Sequence, residues 1–164
     1  MKINIQNIKN NLIEIEDSIE TGFLKEELRT YYPEPFWVHV WVDRFDHDYR
    51  IKVVVKTTGY YNCDRCLAPY SEPFEGMLEH IYQIGKGRLA ETEDVTQLPG
   101  DAIEIDISPL ITEIITLNHP VKMICKNECM GLCPGCGADL NIEKCSCSEK
   151  KIDPRWEDLR KFIK

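Results

Sequence analysis

An α+β fold is predicted for this 164-residue chain: an antiparallel β-sheet or partial barrel, few helices and a C-terminal Cys-rich segment. Three observations predict it. Two segments beginning at Phe36 and Tyr49 alternate apolar and polar residues with the period of a strand. Helix start signals occur at Ser108-Pro109 and Asp153-Pro154. Eight cysteines fall in closely spaced pairs, six of them after residue 120.

The elements follow in order. Ile3-Asn4-Ile5-Gln6 alternates over a short strand, and Leu12-Ile13-Glu14-Ile15 suggests a second. From Phe36 to Val42, Phe36, Val38, Val40 and Val42 share one face, and Trp37, His39 and Trp41 share the other. A polar turn, Asp46-His47-Asp48, leads into Tyr49, Ile51, Val53 and Val55, which alternate with Arg50, Lys52, Val54 and Lys56. Two such segments across a short turn make a β-hairpin, whose second strand can run through Tyr60-Tyr61 into Cys63. Pro73 to Ile84 reads as a returning strand, although its apolar spacing also fits a helix. Residues 85–101, with Gly85, Gly87, Pro99, Gly100 and the acidic run Glu91–Asp94, read as a surface loop. Ala102–Asp106 is a further strand. Ser108 then caps a helix with Pro109 at its first position and Leu110, Ile111, Ile114 and Ile115 on one apolar face. A last short helix is expected through Trp156, Leu159, Arg160 and Phe162. The sequence shows no internal repeat and no low-complexity segment. Two parts are expected: residues 1–120, mainly antiparallel β with the first cysteine pair and one helix, and residues 121–164, Cys-rich with a short C-terminal helix.

The cysteines carry the chemistry. They are Cys63 and Cys66, then Cys125, Cys129, Cys133 and Cys136, then Cys145 and Cys147. A tight turn within C-x-x-C aims two sulfurs the same way, and tetrahedral Zn²⁺ is the natural occupant of such thiolate sets. Spacing divides them into Cys63/Cys66 with Cys125/Cys129, and Cys133/Cys136 with Cys145/Cys147. Four sulfurs leave no ligand position open, which is the structural arrangement of a zinc knuckle rather than a catalytic one. Cys-x-Cys is less diagnostic than C-x-x-C, so one or two structural ions are expected, the alternative being one set of free thiols. No histidine sits at ligand spacing; His119, six residues before Cys125, is the nearest.

Composition narrows the partners. The net charge of −8 weighs against general nucleic-acid binding, which needs a basic face. Residues 1–118 hold 11 Lys/Arg against 21 Asp/Glu, whereas residues 119–164 hold 9 against 7. Lys144, Lys150, Lys151, Arg155, Arg160, Lys161 and Lys164 form a basic cluster, the best candidate for touching RNA, although a solvated helix face explains it too. No stretch is long and apolar enough to span a bilayer, and the N-terminus lacks the pattern of a signal peptide. A cytoplasmic location is expected, where thiols stay reduced and metal binding prevails over disulfides.

Other readings are weaker. A thioredoxin-type C-x-x-C opens a helix, whereas Cys63-Asp64-Arg65-Cys66 follows a strand, and six further cysteines would go unexplained. A thiol redox protein using Cys63 and Cys66 is therefore the alternative function. His39, His47 and His80 have no partner spacing and read as surface or strand residues. Trp37, Trp41, Tyr31, Tyr32, Tyr60 and Tyr61 could stack on bases, but strand aromatics more often pack. No P-loop, dinucleotide fingerprint, nucleophile elbow or H-E-x-x-H occurs, so neither catalysis nor a small-molecule substrate is expected. The absence of a helix-turn-helix pattern makes a transcription regulator the least favoured reading.

The motifs resemble a known family. Cys63-Asp64-Arg65-Cys66-Leu67-Ala68-Pro69-Tyr70 is similar to the C-x-R-C-L-x-P-[FY] element of the YceD-like family, DUF177. The block from Cys125 to Asn141 resembles its C-x3-C-x-G-L-C-P-x-C-G-x-[DN]-L-N segment. Cys145-Ser146-Cys147 and Ile152-Asp153-Pro154-Arg155-Trp156 are similar to its C-x-C and D-P-R-[WF] ending. Leu117-Asn118-His119-Pro120 departs from the more apolar Leu-Pro-type segment expected there. The resemblance implies a non-enzymatic role in ribosome biogenesis, supporting accumulation or processing of large-subunit (23S) ribosomal RNA. The implied partner is that RNA or a ribosomal protein.

Overall fold

The computed structural model describes residues 1–6, 8, 12–46, 48–85, 94–145 and 147. The chain divides into two compact units. One comprises residues 1–61 and 70–121; the other joins residues 62–69 to the described residues from 122 onward. The first cysteine pair thus belongs with the later cysteines.

The first unit is built on the hairpin. Strands β3 (Phe36–Phe45) and β4 (Asp48–Asn62) pair antiparallel, with Val40 opposite Val53 and Trp41 opposite Lys52. This register puts Phe36, Val38, Val40 and Val42 on one face with Ile51, Val53 and Val55, all fully buried. Each such side chain contributes roughly 1.5–3 kcal/mol on leaving water. A one-residue slip would expose the whole set, so the apolar pattern itself holds the register. Strand β2 (Ile13–Ile19) pairs antiparallel with β3, longer than its sequence signal, and β5 (Pro69–Ile84) lies beside β4. The segment with both strand and helix spacing is therefore a strand.

The surface loop expected over 85–101 contains a strand instead. Strand β6 (Val95–Leu98) pairs in parallel with β5, Ile81 opposite Val95. Val95 and Thr96 favour the strand, but the neighbouring acidic run and Pro99-Gly100 conceal it. The result is an open, mixed five-stranded sheet of order β2-β3-β4-β5-β6. Strands β1 (Lys2–Asn4) and β7 (Glu104–Asp106) form a separate antiparallel pair, centred on Ile3 and Ile105.

Two short elements precede β3 without a sequence signal: a 3-10 turn at Thr21–Phe23 and a single helical turn, α1 (Glu26–Arg29). They deliver Tyr32 into the core, where it is fully buried against Phe36 and Phe74. Its hydroxyl accepts from Tyr61 Oη–H at 3.0 Å and lies 2.9 Å from His119 Nδ1. Burial holds the His119 and His80 imidazoles below the usual histidine range. His119 is thus a half-buried partner of Tyr32.

Helix α2 (Ser108–Asn118) buries Leu110, Ile111, Ile114 and Ile115, as its periodicity predicts. Its cap differs from the expected one. Ile107 holds the N-cap position and Ser108 is the first helical residue, because Asp106 Oδ1 accepts both the Ser108 N–H, at 2.9 Å, and its hydroxyl, at 2.7 Å. The helix ends at Asn118, since Pro120 forces His119 into extended backbone. Gly76 on β5 lets this helix approach closely: a Cβ there would lie 2.5 Å from Ile114 Cγ2 and 2.9 Å from Asn118 Nδ2. Gly76→Ala is expected to cost about 1–3 kcal/mol by overpacking. Chemical denaturation of the two proteins checks this; equal midpoints would show that the helix can shift freely.

The final helix expected through Trp156 to Phe162, the D-P-R-W ending, His47 and the basic residues from Lys150 to Lys164 lie outside the described residues. Among the described residues, no helix is long and apolar enough to cross a membrane.

Candidate metal centres

The end of β4 carries the chain into the first cysteine turn. Cys63 N–H donates to Ala68 O at 2.9 Å, and Leu67 N–H donates to Cys63 O at 2.8 Å. The bend places Leu67 in the left-handed region, with φ of 60°. The later turn repeats this pattern. Cys133 N–H donates to Ala138 O at 2.8 Å, Gly137 N–H donates to Cys133 O at 2.9 Å, and Gly137 has φ of 77°. The two turns share one hydrogen-bond scheme despite sharing little besides their cysteines. Glycine adopts the left-handed conformation without steric cost at 137, whereas leucine at 67 does so against its preference.

Long-range bonds close the first site. Asp64 N–H donates to Met123 O at 2.7 Å, and Met123 N–H returns to Asp64 Oδ2 at 2.8 Å. The Arg65 guanidinium donates to Asn127 O at 3.2 Å and to Cys129 O at 2.9 Å, while Arg65 O accepts from Leu132 N–H. Gly131 makes that approach possible: a Cβ there would lie 2.9 Å from Arg65 O. Asp64 and Arg65 thus tie one cysteine pair to the other. Their place between two cysteines is the only sequence signal of that role.

The structure brings the eight thiols into two groups, Cys63, Cys66, Cys125 and Cys129, and Cys133, Cys136, Cys145 and Cys147. Within each group the sulfurs all lie within 4.8 Å of one another. In the first, Cys63 Sγ lies 3.8 Å from Cys129 Sγ, and Cys66 Sγ lies 3.8 Å from Cys125 Sγ. A tetrahedral Zn²⁺ with sulfurs at about 2.3 Å requires sulfur–sulfur edges of about 3.8 Å. Cys63, Cys66 and Cys129 are buried, and Asn141 Nδ2 reaches Cys129 Sγ at 3.5 Å. The second group is tighter and more open to solvent. Cys145 Sγ lies 3.1 Å from Cys133 Sγ and 3.5 Å from Cys136 Sγ, and Cys136 and Cys147 are exposed. Backbone amides of Gly135 and Cys147 point at Cys133 Sγ and Cys145 Sγ, an arrangement that favours thiolates. These two edges would lengthen by roughly 0.3–0.7 Å around an ion of that size.

Crowding sets the thiols of each group against one another. A backbone hydrogen bond from Cys125 is the largest influence holding the Cys63 thiol down at about 6, whereas burial pushes Cys125 up to about 12. In the second group, a hydrogen bond with Cys145 holds Cys133 down at about 6, while a separate hydrogen bond with Cys145 pushes Cys147 up to about 12. Sulfurs this close cannot all carry charge alone, and a divalent cation would remove that repulsion. Both groups can hold a metal ion, with four sulfur donors each.

The other sequence candidates lie elsewhere. His80 is buried and bonded to Thr96 Oγ1 at 2.8 Å, and His39 is stacked on Trp41. A concavity of about 560 Å³ is lined by β1 and β2 side chains, including Ile3, Ile13, Ile15 and Ile19, and by no cysteine.

Fold and sites together define a β-sheet protein with two four-cysteine clusters. The chain belongs to the YceD family: the family model described as "Large ribosomal RNA subunit accumulation protein YceD" matches residues 51–163. A chloroplastic large ribosomal RNA subunit accumulation protein YCED homolog 1 of Arabidopsis thaliana is 39% identical over 67 residues, covering 41% of this chain and 21% of its own. An uncharacterized protein of Mycobacterium tuberculosis is 31% identical over 113 residues, 68% of this chain and 53% of its own. The uncharacterized protein YlbN of Bacillus subtilis is 29% identical over 103 residues, 62% of this chain and 59% of its own. The matched stretch thus spans less than two thirds of each of these relatives. No solved structure matches the chain.

Proposed function

We propose that this protein supports accumulation or processing of large-subunit (23S) ribosomal RNA as a non-enzymatic, zinc-structured factor. The observation that carries the reading is the family match over residues 51–163, which includes all eight cysteines. Zinc is favoured by all-sulfur donor sets and, at the first site, by edges matching its radius. When bound, the ion supplies a crosslink: Cys63 and Cys66 hold residues 62–69 against the chain carrying Cys125 and Cys129. Four sulfurs complete each tetrahedron, so this reading assigns the ions no reacting ligand. The cytoplasm, where ribosomes assemble, is the proposed site of action, and the RNA or a ribosomal protein the partner. A thiol redox role is disfavoured by the full burial of Cys63, since a reactive thiol must be accessible.

Depletion of the protein from its native cell tests the proposal. The expected result is a lower ratio of large- to small-subunit ribosomal RNA, with a diminished large-subunit peak on a sucrose gradient. An unchanged ratio and profile would refute it.

A further inference from the structure

The outer face of the five-stranded sheet is arranged in stripes. Cross-strand rows run Glu14–Trp41–Lys52, Glu16–His39–Val54 and Ser18–Trp37–Lys56 over β2, β3 and β4. The opposite face is the buried valine core, so these side chains point away from it. Trp41 stacks on His39 at 3.7 Å between ring centroids, and Trp37 meets His39 edge-on at 5.4 Å. Trp37 remains 37% exposed, and Met77 on the neighbouring β5 is 57% exposed. Trp41 is half-buried, and tryptophans are among the side chains that most often anchor a protein interface.

The charges select the occupant. The cations of β4 are already engaged: Arg50 pairs with Glu79 at 3.3 Å, Lys56 pairs with Glu75 at 3.1 Å, and Lys52 lies over the Trp41 ring at 5.3 Å. On β2, Glu14 and Glu16 flank His39 at 3.7 Å each; among the described residues, no lysine or arginine forms an ion pair with them. Beside Trp41 lies a depression of about 250 Å³ lined by Leu12, Trp41, Asp43, Arg50, Lys52 and Glu79. It offers an indole, an apolar wall and the carboxylates of Asp43 and Glu79, the latter shared with Arg50, beside the Lys52 ammonium. A guanidinium stacks on indole and takes carboxylates in a bidentate fork. Phosphates would meet Glu14, Glu16, Asp43, Glu75 and Glu79 against Arg50, Lys52 and Lys56, on a chain of net charge −8.

We propose that this face, centred on Trp37, His39 and Trp41, docks an arginine-rich polypeptide segment of a partner protein, with arginine guanidiniums displacing Lys52 and Lys56 from over the Trp41 and Trp37 rings and pairing with Glu14, Glu16 and Asp43. The aromatic row precedes residue 51, so the family match does not cover it. The inference stands apart from the ribosomal reading, because peptide binding in vitro is independent of ribosomal RNA levels.

Fluorescence anisotropy with a labelled arginine–glycine repeat peptide tests it on the zinc-loaded full chain, at about 0.15 M salt to screen diffuse attraction. W37A and W41A are each expected to weaken binding about tenfold, a hot-spot loss. E14Q/E16Q should weaken it several-fold, whereas E26Q/E27Q, removing exposed carboxylates from α1, should not. W41F should recover part of the loss, which separates ring stacking from a folding defect. Equal losses for the two glutamate pairs, or undiminished binding by both tryptophan variants, would overturn the proposal. So would a labelled oligouridylate binding the same face with the same tryptophan dependence.

Discussion

Exhaustive chelation should remove two zinc ions per chain and unfold residues 62–69 and 122–145, while the five-stranded sheet keeps its spectrum. Structural zinc in finger peptides contributes apparent binding energies of about 10–16 kcal/mol at neutral pH. The second unit has little regular structure beside its Asp64 and Arg65 hydrogen bonds: among its described residues there is one isolated strand bridge, Leu132 with Asp139, and no helix. Native mass spectrometry should show the two-ion excess disappear with chelator, and amide NMR should show loss confined to the second unit. Cys129→Ser and Cys136→Ser should each remove one ion. The first change should be more damaging, because it breaks the buried cluster that bridges residues 62–69 to the later chain. A chain carrying one ion would refute the two-site assignment. A metal-free chain with an unchanged spectrum would refute the structural role altogether.

Tyr32→Ala is expected to destabilise the first unit by about 3–5 kcal/mol, the usual cost of deleting a fully buried ring. That is a large share of a typical domain's roughly 5–15 kcal/mol. The side chain touches Phe36, Phe74, Tyr61 and His119 at once, so its loss empties the centre of one aromatic cluster. Tyr32→Phe separates packing from hydrogen bonding. It leaves the ring in place but deprives Tyr61 Oη–H of its acceptor and His119 Nδ1 of its partner, at about 1–3 kcal/mol. Denaturant titration of the three proteins checks both values. A Phe variant as damaged as the Ala variant would mean that the hydrogen bonds, rather than the ring, dominate.

Much of the sheet was legible because alternation is a local property. Phe36 to Val42 and Tyr49 to Val55 each display their buried face in their own order of residues, and the observed hairpin register follows from it. The same held for the buried face of α2. Strand β6 is hidden because four residues between the acidic run Glu91–Asp94 and Pro99 carry too little pattern. Its parallel partner β5 makes it a strand. The cap of α2 falls one residue before the expected Ser108, at Ile107, because Asp106 Oδ1 accepts the Ser108 N–H and hydroxyl and draws Ser108 into the first turn. His119 carried no signal beyond its nearness to Cys125, and Tyr32, distant in sequence, decides its role.

The cysteines divide in the same way. Their short spacings determined from the sequence alone that sulfur pairs converge, because a tight turn leaves the backbone few alternatives. The sequence likewise determined which face of each hairpin strand is apolar. Only the tertiary structure decided which atoms meet across the chain: Cys63 with Cys129, 66 positions away, and Arg65 with the carbonyls that frame it. It also decided that Trp37 and Trp41, read from sequence as packing residues, stand on an outer face among carboxylates. Local spacing restricts dihedral angles directly. Long-range partnership depends on which distant surfaces can be buried together, and no short window of residues contains that information.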